Sequence, residues 1–201
     1  LLRKEEVDYI FIPQENYIYP KDFAELDGIK SGEKGSLFEG AHRPGHFDGV
    51  LTVVNRLFDL VNPTSVVFGK KDAQQLYLVK EFLANKSNNL KIIEAEIIRD
   101  EYGLAMSSRN RLLSKSGINI ARNIFQILEN TKEHFIQNQD IQQSEDFGKK
   151  LCDENTIEYD YLNFVDPKYF ETPDSNREKL LLITAAYVQG IRLIDNMEVI
   201  Q

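Results

Sequence analysis

The sequence has a single cysteine, Cys152, among its 201 residues. No intrachain disulfide can form, which fits a reducing compartment and a cytoplasmic protein. No apolar run approaches the ~20 residues that a membrane-spanning helix needs, so no membrane role is expected. The first residues, Leu1-Leu-Arg-Lys-Glu-Glu6, lack both an initiator methionine and the apolar stretch of a secretory signal. They read as the last turn of a helix that begins elsewhere, and the expectation is that the chain is a fragment. Positive charge is also scarce: 24 Lys and Arg face 32 Asp and Glu, a net charge of −8. Nucleic-acid affinity rests on clustered Lys and Arg, so nucleic acid is not the expected partner. A small anion in a locally basic pocket remains compatible with this balance. Three scattered histidines and one cysteine do not make a zinc site. There is no Walker A pattern, no G-x-G-x-x-G, no internal repeat and no low-complexity segment. What is present, 42% hydrophobic and 28% charged residues, is the composition of one large or two small packed domains.

The stretch Phe68-Gly-Lys-Lys-Asp-Ala-Gln-Gln75 organises the rest. The short β-branched run Ser65–Phe68 before it predicts a buried parallel strand. After it, Leu76, Val79, Phe82 and Leu83 recur at helical spacing. The Gly and the charges therefore sit at a strand-to-helix turn, where open α/β sheets bind ligands. Gly69 permits close backbone approach. Lys71 offers a point charge to a phosphate, and the free N–H groups of a helix starting near Asp72 favour an anion. Asp72 could cap that helix or hold a metal ion. Gln74 and Gln75 could pair with a ligand or be ordinary surface residues of the helix.

Around this turn, Val7–Ile12 reads as a strand ended by Pro13, and Tyr17–Pro20 as a turn. Residues 29–45 read as a long glycine-rich loop or two weak strands. A helix is expected over His46–Val61, stopped by Asn62-Pro63, and the helix after Asp72 is expected to end near Lys86, before Ser87-Asn-Asn89. Residues Leu90–Ile98 are strand-like. This alternation implies a parallel sheet with right-handed crossovers. Beyond it, helices over Ser116–Gln139 and Ser144–Glu154 precede strands over Tyr159–Val165, Leu180–Val188 and Ile191–Ile194. That change to α+β order sets a domain boundary, giving units 1–97 and 98–201.

Two further stretches could carry chemistry. In Glu39-Gly-Ala-His-Arg-Pro-Gly-His-Phe47, Arg43 can grip a phosphate or carboxylate with its planar fork, and His46 could be a cap or a ligand contact. Asp100-Glu-Tyr-Gly-Leu-Ala-Met-Ser-Ser-Arg-Asn110 reads as too short, and too polar at its end, for a core element; in it Ser107, Ser108 and Arg109 suit nucleotide phosphates, or else a helix cap with a surface arginine. Cys152 reads as inert core and His134 as a solvated helix residue.

Together, in this order and spacing, these three stretches resemble the pantothenate synthetase (pantoate–β-alanine ligase) family. The ending Gly190-Ile-Arg-Leu-Ile-Asp-Asn196 also resembles that family's last strand. The resemblance implies an α/β fold, with a Rossmann-like nucleotidyltransferase sheet and a smaller α+β domain that closes over the nucleotide, in a homodimer. It implies ATP with Mg²⁺, pantoate and β-alanine as substrates, joined through a pantoyl adenylate with release of pyrophosphate and AMP. Matched residue by residue, Gly69, Lys71 and Asp72 would contact ATP or its metal. Met106, Ser107, Ser108 and Arg109 would hold the nucleotide and its phosphates. Ile98 would touch the adenine side. Gln75, Val53 and Val54 would meet pantoate, and Arg43 would lie near the dimer contact or the β-alanine site. The physics agrees, since adenylyl transfer depends on positioning and charge stabilisation.

The sequence departs from the family pattern in lacking its Pro-Thr-Met-Gly, His-x-Gly-His and Asn-Pro-x-Gln-Phe motifs, which carry phosphate-binding histidines and a second pantoate-binding glutamine. Lys70 also stands where the family has an acid. The expectation is that residues 1–201 alone are inactive and leave a sheet edge unpaired. The competing readings are a non-catalytic ATP-binding or dimerising fragment, and a related adenylylating enzyme with another acid substrate.

Overall fold

The computed structural model describes residues 2–20, 28–86, 90–173 and 178–200. Two sheets organise them. The first is a parallel pair, β1 (Ser65–Gly69) and β2 (Lys91–Ala95), with Val66 opposite Ile92 and Phe68 opposite Glu94. Helices α3 (His46–Val61) and α4 (Ala73–Ala84) pack on one face of it. Phe47, Leu51, Leu78, Val79 and Leu83 are buried there, with Phe68 and Ile92 of the sheet packed against them. Burial of such apolar side chains is the main stabilising term for this layer, roughly 1.5–3 kcal/mol for each that is fully covered. On the opposite face Val67 and Ile93 are exposed.

The second sheet is antiparallel, in the order β3-β4-β5: β3 (Glu158–Val165), β4 (Lys179–Val188) and β5 (Ile191–Ile200). Gln189 and Gly190 join β4 to β5 in a two-residue loop with both φ positive, the twist that tight hairpins require. Strand β4 alternates as a two-sided strand should. Leu180, Leu182 and Val188 face a core built with α5 (Lys115–Asn138) and α6 (Ile141–Glu154). Leu181 and Ile183 face the other way, onto Phe38, Ala73 and Tyr77 of the first half. That second apolar cluster fixes α4 against the antiparallel sheet. Cys152 lies in the α5/α6 core, as expected, where burial pushes its thiol up to about 12.

Most predicted elements form near their expected bounds. Helices α5 and α6 start earlier than their hydrophobic periodicity suggests, because Ser114 Oγ accepts from Gly117 N at 3.1 Å and Asp140 Oδ1 from Gln143 N at 2.9 Å. Strand β5 runs to Ile200, not Ile194, since all ten of its residues pair with β4. The break expected at Ser87-Asn-Asn89 lies outside the described residues.

Four expectations are corrected. Val7–Ile12 forms no strand: Tyr9, Ile10, Phe11 and Ile12 are exposed, and no described strand pairs with them. A β-prone sequence becomes a strand only with a neighbour to complete its hydrogen bonds. The region 29–45 holds a 3₁₀ turn at Glu33–Ser36 and a helical turn, α2 (Glu39–His42), in place of a loop or strands. The Asp100–Asn110 stretch contributes to the core, with Leu104 buried among α5 and β5 residues. His134 is not merely solvated either. It stacks on Phe147 at 4.5 Å and its Nδ1 lies 3.0 Å from Ser144 Oγ. Among the described residues no helix is long and apolar enough to cross a membrane.

Candidate active site

The carboxyl end of β1, the start of α4, the Met106–Arg109 segment and the near edge of β5 enclose a cavity of about 360 Å³. Arg43, Lys71, Arg109 and Arg192 line it, against only two carboxylates, Glu39 and Asp72. In a chain of net charge −8 this local excess of two positive charges is the signature of an anion site. A smaller cavity shares Glu39, Arg43, Lys71 and Asp72 with it and adds His46, Gln75, Tyr161 and Thr184.

Local structure aims these groups. Lys70 N still bonds Ala95 O at 2.8 Å, the last rung of the parallel ladder, and the chain then turns into α4. Asp72 sits at the N-cap but makes no side-chain cap bond. The capping alternative is thereby excluded: the Asp72 carboxylate borders the cavity and the first N–H groups of α4 stay uncapped by a side chain. Those groups and the helix dipole favour negative charge at this end. Among the described residues, the Lys71 ammonium makes no hydrogen bond or ion pair. Gly69 has an ordinary φ, and a Cβ built on it would meet nothing within 4 Å, so its value there is open space rather than backbone freedom.

The glutamine pair divides its labour. Gln74 is buried, its Nε2 donating to Lys34 O (2.7 Å) and Leu37 O (2.9 Å) while its Oε1 accepts from Glu39 N (3.0 Å). Its amide is therefore committed to the backbone and is not a ligand group. Gln75, one step on, borders the smaller cavity. Gln74 thus ties the 34–39 segment to α4. Two glycines let that segment fold back: Gly40, where a Cβ would collide with the Gly35 carbonyl oxygen, and Gly45, whose φ of 76° ends the turn before α3.

Glu39 is the centre of an ion cluster that spans the two halves. Arg192 on β5 sets Nη1 2.6 Å from Glu39 Oε1, an ion contact without hydrogen-bond alignment, and Nε 2.6 Å from Asp160 Oδ2 on β3. Tyr161 donates its hydroxyl to Glu39 at 3.0 Å, and burial together with Glu39 pushes its phenol well above its usual range. His42 Nδ1 lies 3.4 Å from Asp160. His46, at the start of α3, is held below its ordinary pKa by burial first and then by Arg43, with Glu39 and Asp72 opposing. That shift favours the neutral imidazole.

The Met106–Arg109 segment is set by Met106 N donating to Ile98 O (2.8 Å), and Ser107 Oγ accepts from Arg109 N (3.2 Å) at the head of a 3₁₀ turn, Ser108–Leu112. Arg109 Nη1 donates to Arg192 O at 3.1 Å. Lys71, Asp72, Arg43, Met106, Ser107, Ser108 and Arg109 are therefore brought together, as the sequence suggested, with Gln75 beside them. Val53, Val54 and Ile98 do not line either cavity: Val54 packs into the α3/α4 core, and Ile98 is exposed on the connecting segment. Glu39, Asp160, Tyr161 and Arg192 were not foreseen as a group. Glu39 and Arg192 stand inside recognisable stretches, but nothing in sequence spacing pairs residues so far apart.

A family model described as pantoate-beta-alanine ligase matches residues 1–198. The chain belongs to the pantoate–β-alanine ligase family. Members of this ligase family join pantoate to β-alanine. The chain is 38% identical to the pantothenate synthetase of Caldicellulosiruptor bescii over 201 residues, 99% of this chain and 71% of that protein. It is 36% identical to that of Thermosipho melanesiensis over 198 residues, 98% of this chain and 70% of that one. Among solved structures, the pantothenate synthetase of Thermus thermophilus superposes with a TM-score of 0.92 at 34% identity, covering all of this chain and 72% of that one. The pantoate-beta-alanine ligase of Francisella tularensis, crystallised in complex with beta-gamma ATP and beta-alanine, gives 0.75 at 31% identity, covering 98% and 66%. The ligase fold, a parallel sheet followed by a separate antiparallel one, is the fold found here.

Proposed function

We propose that this chain carries the nucleotide and pantoate half-site of an ATP-dependent pantoate–β-alanine ligase that works through pantoyl adenylate in the cytoplasm, as a homodimer. The observation that carries this reading is the excess of positive charge lining a cavity at the uncapped start of α4. The Francisella relative, crystallised with an ATP compound and β-alanine, supports it. ATP enters as its Mg²⁺ complex. The free Asp72 carboxylate fits that cation, because Mg²⁺ commonly takes one or two carboxylates plus substrate phosphates.

In the first step a pantoate carboxylate oxygen attacks the α-phosphorus, and the bond to pyrophosphate breaks. Lys71 and Arg109 neutralise charge on the phosphates as it moves towards the leaving group. Ser107, Ser108 and the α4 N–H groups hold the phosphate oxygens, Met106 lies along the nucleotide, and Gln75 hydrogen-bonds pantoate. In the second step the amine of β-alanine attacks the acyl carbon and AMP leaves, with Arg43 beside the incoming carboxylate. No enzyme nucleophile is needed. Units 1–97 and 98–201 work as the nucleotide-binding domain and the covering domain.

The test is pyrophosphate release by the gene's full product with ATP, Mg²⁺ and pantoate, comparing wild type with Gln75→Ala. Losing one partner of a substrate hydrogen bond costs roughly 1–3 kcal/mol, so KM for pantoate should rise about 5- to 150-fold while KM for ATP holds. An unchanged pantoate KM with a raised ATP KM removes Gln75 from the pantoate site. Release that ignores pantoate and responds to another acid favours a related adenylylating enzyme.

A further inference from the structure

The Asp195-Asn196 pair within β5 carries no role in the reading above, yet Asn196 touches the Lys71 turn directly. Asn196 is 4% exposed. Its side-chain amide donates to two consecutive carbonyls, Lys70 O at 3.0 Å and Lys71 O at 2.9 Å. These carbonyls lie past the last rung of the β1/β2 ladder and before the first helical carbonyl, Asp72 O, which accepts from Leu76 N. Neither regular element satisfies them, and buried backbone carbonyls need a donor.

The Asn196 backbone is itself held on two sides. Its N–H meets Asp195 Oδ1 at 2.7 Å, and its carbonyl accepts from Arg99 Nη2 at 3.0 Å. Arg99 also grips Asp195 through two bonds, Nη1 to Oδ2 at 2.6 Å and Nη2 to Oδ1 at 2.9 Å. Arg99 is anchored in turn by Gly103 O at 2.9 Å and by the Phe125 ring, 4.6 Å from its centroid. Arg99 belongs to the segment that leads into Met106–Arg109. One rigid chain of contacts thus runs from the Ser107–Arg109 side of the cavity, through Arg99, Asp195 and Asn196, to the backbone of Lys71.

We propose that Asn196 is a positioning residue for adenylyl transfer: its amide, fixed by Arg99 and Asp195, holds the Lys71 turn at a set distance from Ser107–Arg109, so that both sides meet the same phosphates. The inference rests on the assignment of Lys71 given above. It gives the second domain a part in assembling the phosphate site, beyond covering it. Bidentate arginine–carboxylate contacts are geometrically demanding, which is why this anchor can set a distance that a lone hydrogen bond could not.

The experiment uses the gene's full product and pantoate-dependent ATP–pyrophosphate exchange, with Lys71→Ala, Asn196→Asp and the double variant. Asn196→Asp keeps the shape and removes both donors. A misplacement near 1 Å costs on the order of 10²-fold in rate, so exchange should slow by about that factor with KM for pantoate unchanged. In the Lys71→Ala background Asn196→Asp should add less than about threefold, because residues acting as a unit are not additive. Multiplicative losses in the double variant overturn the inference, as does a normal rate for Asn196→Asp beside a slow Lys71→Ala. Lys71→Ala at the wild-type rate refutes the assignment of Lys71 and takes the inference with it. If Asn196→Asp does not fold, Asn196→Ala, which adds no charge, carries the same comparison. Failure of both to fold makes the amide purely structural and ends the proposal.

Discussion

Replacing Arg192 by Met tests whether the ion cluster joining the two halves holds them together. Arg192, Glu39 and Asp160 have side chains only 14%, 8% and 13% exposed. Methionine keeps the unbranched apolar stem of arginine while removing the charge. Glu39 would retain the Tyr161 hydroxyl and the more distant Arg43 at 3.9 Å, and Asp160 the Tyr187 hydroxyl at 3.3 Å. Breaking a buried pair by removing one partner costs roughly 3–5 kcal/mol, because a buried charge is left uncompensated. Urea denaturation of the gene's full product should show a loss of that size at neutral pH. Adding Glu39→Gln to Arg192→Met should recover part of the loss. A deficit under about 1 kcal/mol, the range of a solvent-screened surface pair, would refute the reasoning, as would a double variant no more stable than Arg192→Met alone.

Gln74→Ala leaves Glu39 N–H and the Lys34 and Leu37 carbonyls without their partner. An orphaned buried group costs about 1–3 kcal/mol, so stability should fall by roughly that amount and protease cleavage near residues 34–39 should quicken; unchanged proteolysis would show the segment is anchored otherwise. His46 has a folded pKa below its usual value, so the stability it contributes is present above its unfolded value and is lost as pH falls through the folded one. Phosphates bound beside it, opposite Arg43 and Arg109, should raise that pKa and draw in a proton. Calorimetry of ATP binding at about pH 6, in buffers of different ionisation enthalpy, should report fractional proton uptake that His46→Gln abolishes; equal uptake in both proteins would assign the proton to another group.

The elements with strong local signals were legible in the sequence. Helix α3 carries an apolar stripe and an Asn62-Pro63 stop, and it forms over the expected residues. Strand β1 and the turn after it read from a β-branched run followed by Gly and charge, but the strand is not buried as expected, since Val67 on its second face is exposed. Val7–Ile12 was misread because alternation and β-branching report a fit to a sheet surface, not the presence of a neighbouring strand. Asp72 and Gln74 were ambiguous for a different reason. A cap, a ligand contact and a backbone clamp all use the same side-chain types, and only the position of the 34–39 segment separates them. The Glu39–Arg192 contact joins residues on separate sheets, so no periodicity within either could announce it. Asn196 stood in a recognisable stretch, but its two acceptors are backbone atoms, which leave no trace in sequence.

The central claim, adenylate formation at the Lys71 cavity, is tested most directly by the fate of oxygen. The gene's full product is supplied with ATP, Mg²⁺, β-alanine and pantoate labelled with ¹⁸O in its carboxylate, and the AMP is examined by mass spectrometry. Attack of the carboxylate on the α-phosphorus, followed by attack of the amine on the acyl carbon, leaves one carboxylate oxygen on AMP. The account predicts one ¹⁸O in AMP for each pantothenate formed. Unlabelled AMP, or label in orthophosphate released alongside ADP, would contradict it.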